Sequence, residues 1–208
     1  MTYTIAKWVV DVANDKLVII LEGGPGVGKT TIARLLAERL SEKGYNVCIV
    51  DDAIRSISRL LNRLFGKWYL APRELIEYMF IGYRLRVFEE CARKVDIVVM
   101  DYGVEAPLAY MEEDNVPYPH QLERLAEEVL DGSRILVFIL EQPIAYQKDD
   151  VRWEDIRRAT RYARRLTARA LSLVARLNAK AYILPEKANV VERVEKIEEI
   201  VLGELKQM

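Results

Sequence analysis

Five short apolar runs punctuate the chain, at residues 17–21, 46–52, 96–101, 134–140 and 179–184. Each is continuous rather than alternating and rich in Val and Ile, the pattern of strands covered on both faces of a parallel sheet. The segments between them repeat apolar positions at helical spacing. Ile32, Leu35, Leu36 and Leu40 make one face, and Gly44 follows where the chain should turn back. Residues 53–65 and 72–93 predict two more helices, the second opened by Pro72, and residues 119–131 predict another, ending near Gly132. The longest prediction covers 153–177, with Ile156, Ala159, Ala163, Leu166, Ala170, Leu173 and Leu177 on one side. A last helix over 189–206 carries Val190, Val194, Ile197 and Val201. Strands alternating with helices predict a doubly wound α/β fold. Residues 1–16 alternate at Trp8, Val10 and Val12, a run too short to assign.

Composition narrows the class. At 208 residues, about half of them apolar, the chain holds enough material for one sizeable α/β core, and no linker or internal repeat divides residues 1–208. The balance of 31 basic and 32 acidic residues gives a net charge of −1, so no global attraction to nucleic acid or to an acidic membrane is expected. No apolar run approaches the ~18 residues of a membrane span. The first residues lack the basic start, apolar core and cleavage site of a signal peptide, so a soluble, cytoplasmic protein is expected. Abundant Lys, Arg and Glu with little Gln or Asn leans towards a thermophile. Cys48 and Cys91 lie in an apolar run and a helical pattern without paired spacing, and are expected as separate, buried and inert residues.

The chemistry begins with LEGGPGVGKTT, residues 21–31. Residues 23–30 match G-x-x-x-x-G-K-[ST], with a predicted strand before and a predicted helix after, the context the motif requires. Glycines let main-chain amides turn inward onto phosphate oxygens, and the helix start adds its positive dipole end. Gly24, Gly26, Val27, Gly28, Lys29, Thr30 and Thr31 are therefore the candidate nucleotide cradle. Lys29 would reach the β- and γ-phosphates, and the Thr30 hydroxyl would ligate Mg²⁺. Asp101 ends the strand of DIVVMDYG, where a carboxylate can hold Mg²⁺ through water, although an aspartate there also serves turns.

Other candidates follow from position. Asp51 and Asp52 end the second predicted strand, on the sheet edge where ligands bind. Asp52 is the preferred general base for an acceptor hydroxyl, with helix capping as the plain alternative. Arg55, one turn on, suits an anionic or hydroxylated acceptor. Arg84 and Arg86 face either the acceptor or solvent, and Glu105 is a candidate lining of the same pocket. Residues 152–176 hold eight arginines against Glu154 and Asp155. Arg152 is read as a catalytic arginine on a lid over about 143–160, where charge neutralisation and exclusion of water would act on a triphosphate. The arginines from Arg165 onward are read as a solvated face. His120 lacks metal partners in the sequence and is expected to be structural.

At these residues the chain resembles P-loop nucleoside and nucleotide kinases. The segments EGGPGVGKTTIARLLAERLSEKGYNV, RELIEYMFIGYRLRVFEE and IVVMDYGVEAPLAY resemble thymidylate kinases in order and spacing. That resemblance implies acceptor-phosphate contact for Arg84, and equates Asp101 with the Asp of a D-R-[YHW] motif in which Tyr102 replaces the Arg. IVDDAIR, FILEQPIAYQKDDVRWED and AKAYILPEKANVVERVEKIEEIV resemble the ATPase/kinase family that includes ribosylnicotinamide kinase domains. There Asp52 and Arg55 match an E-x-x-R pattern, Asp149, Asp150 and Arg152 match a lid motif, and residues 185–189 would approach the adenine. The resemblances span 17–202 and imply a three-layer P-loop NTPase fold with a five-stranded parallel sheet in order 2-3-1-4-5.

Together these readings predict an ATP- and Mg²⁺-dependent kinase acting on a nucleoside, a nucleoside monophosphate or a ribosylnicotinamide-like acceptor. Its expected partner is a small molecule, without membrane or nucleic acid, with homodimerisation open. A regulatory ATPase or switch using the arginine-rich helix as a docking face is the alternative. The absence of N-K-x-D argues against a GTPase switch. A nucleotide-binding protein without activity is the third reading.

Overall fold

The computed structural model describes residues 15–141, 154–185 and 188–207. Five parallel strands, β1 (Leu17–Gly23), β2 (Val47–Val50), β3 (Ile97–Asp101), β4 (Arg134–Leu140) and β5 (Lys180–Leu184), lie in the order β2-β3-β1-β4-β5. Among the described residues seven α-helices accompany them: α1 (Lys29–Glu42), α2 (Ile54–Phe65), α3 (Arg73–Ala92), α4 (Ala106–Glu113), α5 (Gln121–Leu130), α6 (Ile156–Leu177) and α7 (Val190–Leu205). Every strand and helix marked by the hydrophobic pattern is present, and the sheet order is the one the kinase resemblance implies. The sequence pattern marks nothing between 102 and 118. Helix α4 is short and buried on nearly all sides, so its apolar residues carry no readable period.

Alternation along the strands builds two cores. Val18 and Ile20 of β1, with Val98, Met100, Ile135, Val137 and Ile139, pack against Phe88, Val129, Leu130, Ala170 and Leu173 from α3, α5 and α6. Their neighbours Leu17, Ile19 and Leu21, with Val99, Leu136 and Phe138, pack against Ile32, Leu36, Leu40, Val194, Ile197 and Val201 from α1 and α7. Helices thus cover both faces, which is why the strand runs are continuously apolar. A separate cluster of Ala53, Ile57, Leu61, Trp68, Ala71, Ile76 and Phe80 holds α2 and a 3₁₀ turn (Trp68–Leu70) against α3, beyond the carboxyl edge of β2. That cluster is the roof of the site below.

Two expectations are corrected. Cys48 and Cys91 are not separate thiols but a disulfide, with Cα atoms 5.5 Å apart. Packing of α3 on β2 brings the last turn of the helix against the strand, a proximity that a sequence separation of 43 hides from the sequence. Of the arginines from Arg165 onward, Arg165 is exposed, but Arg169 and Arg176 are not a solvated face. Arg158 pairs with Asp114 at 2.7 Å, Arg161 with Glu113 at 2.6 Å, Arg169 with Glu123 at 2.8 Å and Arg176 with Glu127 at 2.5 Å. The acidic complement sits on α4 and α5, so the ladder forms only once α6 packs beside them. No helix among the described residues is long and apolar enough to cross a membrane.

Candidate active site

The site starts where β1 stops. Gly23 adopts φ 146°, and a Cβ there would lie 2.5 Å from the Leu140 carbonyl oxygen, so only glycine lets β1 leave the sheet beside β4. Gly28, at φ 91°, then turns the chain directly into α1. Lys29 is buried, and its Nζ donates to the carbonyls of Gly23 at 3.0 Å and Gly24 at 2.8 Å. The same ammonium lies 3.8 Å from the centre of the Tyr102 ring. Thr30 donates its hydroxyl to Asp101 Oδ2 at 2.5 Å, while Oδ1 of Asp101 is buried without a hydrogen-bond partner. The loop is braced from outside by Arg193 of α7. This buried guanidinium donates to the carbonyls of Val27 at 3.2 Å, Glu141 at 3.1 Å and Pro185 at 3.0 Å.

A cavity of about 560 Å³ joins this loop to the roof. Gly26, Gly28, Lys29, Thr30 and Thr31 line one end, and Trp68, Arg73, Glu77, Phe80, Tyr110 and Glu154 the other. Asp52, Arg84, Asp101 and Tyr102 lie among its lining as well. Arg84, 3% exposed, donates through Nη2 to Asp52 Oδ1 at 2.9 Å. Burial pushes the Asp52 carboxyl up to about 6, with Arg84 opposing. Asp51 instead accepts from the Tyr83 hydroxyl and is exposed. Neither aspartate caps α2: the N-cap residue is Ala53, in the left-handed region at φ 50°. Tyr102, at φ 75°, is a second non-glycine residue in that region. Such strain concentrates at functional sites because surrounding structure must hold it.

Arg55 also lines the cavity. Glu105 does not. It is buried beneath Arg176 and Arg169 of α6, which corrects its expected place in the pocket, because the start of α4 turns its side chain towards α6. Arg86 pairs with Glu90 on the exterior of α3. Arg152, with Asp149 and Asp150, lies outside the described residues. His120 is exposed at the N-cap of α5.

Several cavity residues escape a reading based on apolar periodicity. Arg73, Glu77, Phe80 and Arg84 are spaced four, three and four apart, so they share one face of α3. Glu77 is 3% exposed, and burial pushes its carboxyl up to about 7 despite Arg73 at 3.1 Å. That spacing was visible as three charged residues and a phenylalanine on one face of the helix. Arg193 was visible too, as a charge on the apolar side of α7.

The residues fit a phosphate-bound Mg²⁺. Asp101 offers an unpartnered buried oxygen beside the Thr30 hydroxyl, an oxygen donor set suited to this hard ion. Among the described residues no group of three or more His, Cys, Asp or Glu could hold a metal alone, so further ligands would come from phosphate and water.

The sheet order, the glycine loop after β1, Lys29 and Thr30 opening α1, and a carboxylate ending the adjacent strand together define a P-loop protein of nucleotide-kinase type. The AAA domain family matches the chain over residues 18–193, and the chain belongs to that family. A thymidylate kinase from Gluconobacter oxydans (strain 621H) is 36% identical over 106 residues, which make up 47% of this chain and only 49% of that relative's length. The solved thymidylate kinase of Ehrlichia chaffeensis superposes with a TM-score of 0.61 at 18% identity, over 91% of this chain and 99% of that one. The NadR protein, solved in complex with NAD and AMP-PNP, gives 0.60 at 19% identity, over 93% of this chain and 51% of that one. At these identities the two structures speak to the fold.

Proposed function

We infer that the chain is an ATP-dependent small-molecule kinase, transferring the γ-phosphoryl group to a hydroxyl of a nucleoside or ribosylnicotinamide-like acceptor, or to a phosphate oxygen of a thymidylate-like nucleoside monophosphate. One observation carries this reading: a single cavity is lined both by the phosphate loop and by the paired Asp52 and Arg84.

In this mechanism the amides of residues 24–31 bind the triphosphate, and Lys29 exchanges its loop carbonyls for phosphate oxygens. Thr30 and Asp101 would hold Mg²⁺, which would supply neutralisation of phosphate charge. Where the acceptor is a hydroxyl, Asp52 accepts its proton. The acceptor oxygen bonds to the γ-phosphorus as the bond to the β–γ bridging oxygen breaks, leaving ADP. Arg84 orients Asp52 and keeps it ionised, since its charge opposes the effect of burial. The aromatic roof of Trp68 and Phe80 keeps bulk water from the acceptor.

The NadR and thymidylate kinase likenesses support a kinase over a switch. The arginine-rich helix on which a switch reading depends has Arg158, Arg161, Arg169 and Arg176 paired within the chain. The test is ADP release with Mg²⁺ and ATP across a panel of nucleosides, nucleoside monophosphates and ribosyl pyridines. At least one acceptor is expected to raise turnover far above hydrolysis. A panel that leaves ATP consumption at the level of water overturns the reading.

A further inference from the structure

Glu22 is among the buried carboxylates that the mechanism above leaves unused. It is the penultimate residue of β1, 5% exposed, and lies outside the residues lining the cavity. Its place is set by the end of the β1–β3 ladder. Leu21 pairs with Asp101, and the Tyr102 amide donates to the Leu21 carbonyl at 3.1 Å. At the next residue the chain turns away, and a side chain replaces the backbone acceptor: the Gly103 amide donates to Glu22 Oε1 at 2.7 Å. Between those two bonds lies Tyr102, at φ 75°. A tyrosine in that conformation persists only where its neighbours fix it. One side of this turn carries Asp101, bonded to Thr30, and its centre carries the ring 3.8 Å from Lys29 and 5.6 Å from Arg84.

We propose that Glu22 is a positioning residue, whose bond to Gly103 latches the Asp101–Gly103 turn and so sets the metal-side carboxylate and the Tyr102 ring against Thr30 and Lys29. The inference rests on the kinase reading and adds a requirement to it. The glycine supports the latch independently. A Cβ on Gly103 would lie 2.8 Å from Glu22 Oε1 and 3.2 Å from Ile20 Cγ2, and the carboxylate is the end free to move. Gly103→Ala therefore breaks the same contact from the other side, without altering Glu22.

The test measures binding of Mg²⁺ and a non-hydrolysable ATP analogue by calorimetry across a magnesium titration, so no acceptor has to be known. Glu22→Leu removes the acceptor at similar volume, whereas Glu22→Gln retains an oxygen for the Gly103 amide. Glu22→Leu is expected to raise the half-saturating Mg²⁺ concentration about tenfold, the lower end of what loss of an outer-shell partner does. Glu22→Gln should return it to within about threefold of wild type on the same scale. If Glu22→Leu does not fold, Gly103→Ala is measured in its place, with the same tenfold rise expected. Wild-type magnesium dependence in whichever of these folds overturns the latch. So does a Glu22→Gln variant as impaired as Glu22→Leu, since charge rather than the bond would then matter. A wild-type protein that binds no Mg²⁺ and nucleotide at all overturns the kinase reading, and the latch with it.

Discussion

Arg84 and Asp52 meet at 2.9 Å although 32 positions separate them in the chain. One sits mid-helix on α3 and the other just beyond β2, and both line the cavity. Burial raises Asp52 and Arg84 lowers it, and burial prevails, leaving the carboxyl at about 6. As a general base Asp52 works ionised, so kcat/KM for the acceptor should rise with pH and level off above about 6. Asp52→Asn is expected to abolish that limb and lower kcat by about 10²–10⁴-fold, with ATP affinity retained. Arg84→Met removes the lowering influence, so the limb should move to higher pH. Initial rates from pH 5 to 9 check all three outcomes, and an Asp52→Asn enzyme with wild-type kcat refutes the base assignment.

Glu77 supplies a stability prediction. Its carboxyl stands at about 7 in the fold against an ordinary 4.5. The folded protein therefore binds this proton more tightly than the unfolded chain. The sign follows: the contribution is complete below pH 4.5 and is lost as pH rises through 7. At one pK unit per roughly 1.4 kcal/mol, the amount is on the order of 1–3 kcal/mol. Glu77→Gln should flatten the fall in Tm between pH 5 and 8. Unfolding midpoints of both proteins across that range decide it, and parallel curves refute it.

Arg193 predicts a coupling between α7 and the phosphate loop. Its guanidinium serves carbonyls at Val27, in the phosphate loop, and at Glu141 and Pro185, the residues that follow β4 and β5. Arg193→Met keeps the stem and strands those acceptors, a loss on the order of 3 kcal/mol. ATP binding should weaken together with stability, because Val27 belongs to the cradle. Calorimetry alongside a melting curve would separate the two, and unchanged ATP affinity counts against the brace.

The disulfide is testable by reduction. Closing a loop of 43 residues restricts the unfolded chain by about 4 kcal/mol on the loop-entropy account. For a chain of this size, Tm should fall by roughly 10 °C in reductant or in Cys48→Ala. Thiol titration of the folded, unreduced protein should find no reactive cysteine. Two titrating thiols would contradict the bridge.

The sequence declared the scaffold and one end of the site. Strands buried on both faces leave continuous Val and Ile runs, and a phosphate loop must be contiguous because its amides act together. The acceptor end is dispersed over β2, α2, α3 and α4, so its members share no local spacing. Only the face formed by Arg73, Glu77, Phe80 and Arg84 is periodic, and it is polar where a core-facing stripe is apolar. Glu105 shows the converse. Its distance from Asp101 suggested the cavity, but Arg169 and Arg176, more than sixty positions later, capture it. The ladder between α6 and the acidic residues of α4 and α5 was unreadable for the same reason: each half looks like a surface when read alone.

The bond between Cys48 and Cys91 encircles more than its length suggests, because Asp52, Arg55, Trp68, Arg73, Glu77, Phe80 and Arg84 all lie between the two sulfurs in the chain. Nearly the whole acceptor wall is thus one hoop, fastened at both ends to the same patch of β2 and α3. A protease cutting the exposed bend at Gly66 would leave both pieces tethered until reductant freed them. Neither foot of the hoop can part from the other while the bridge stands.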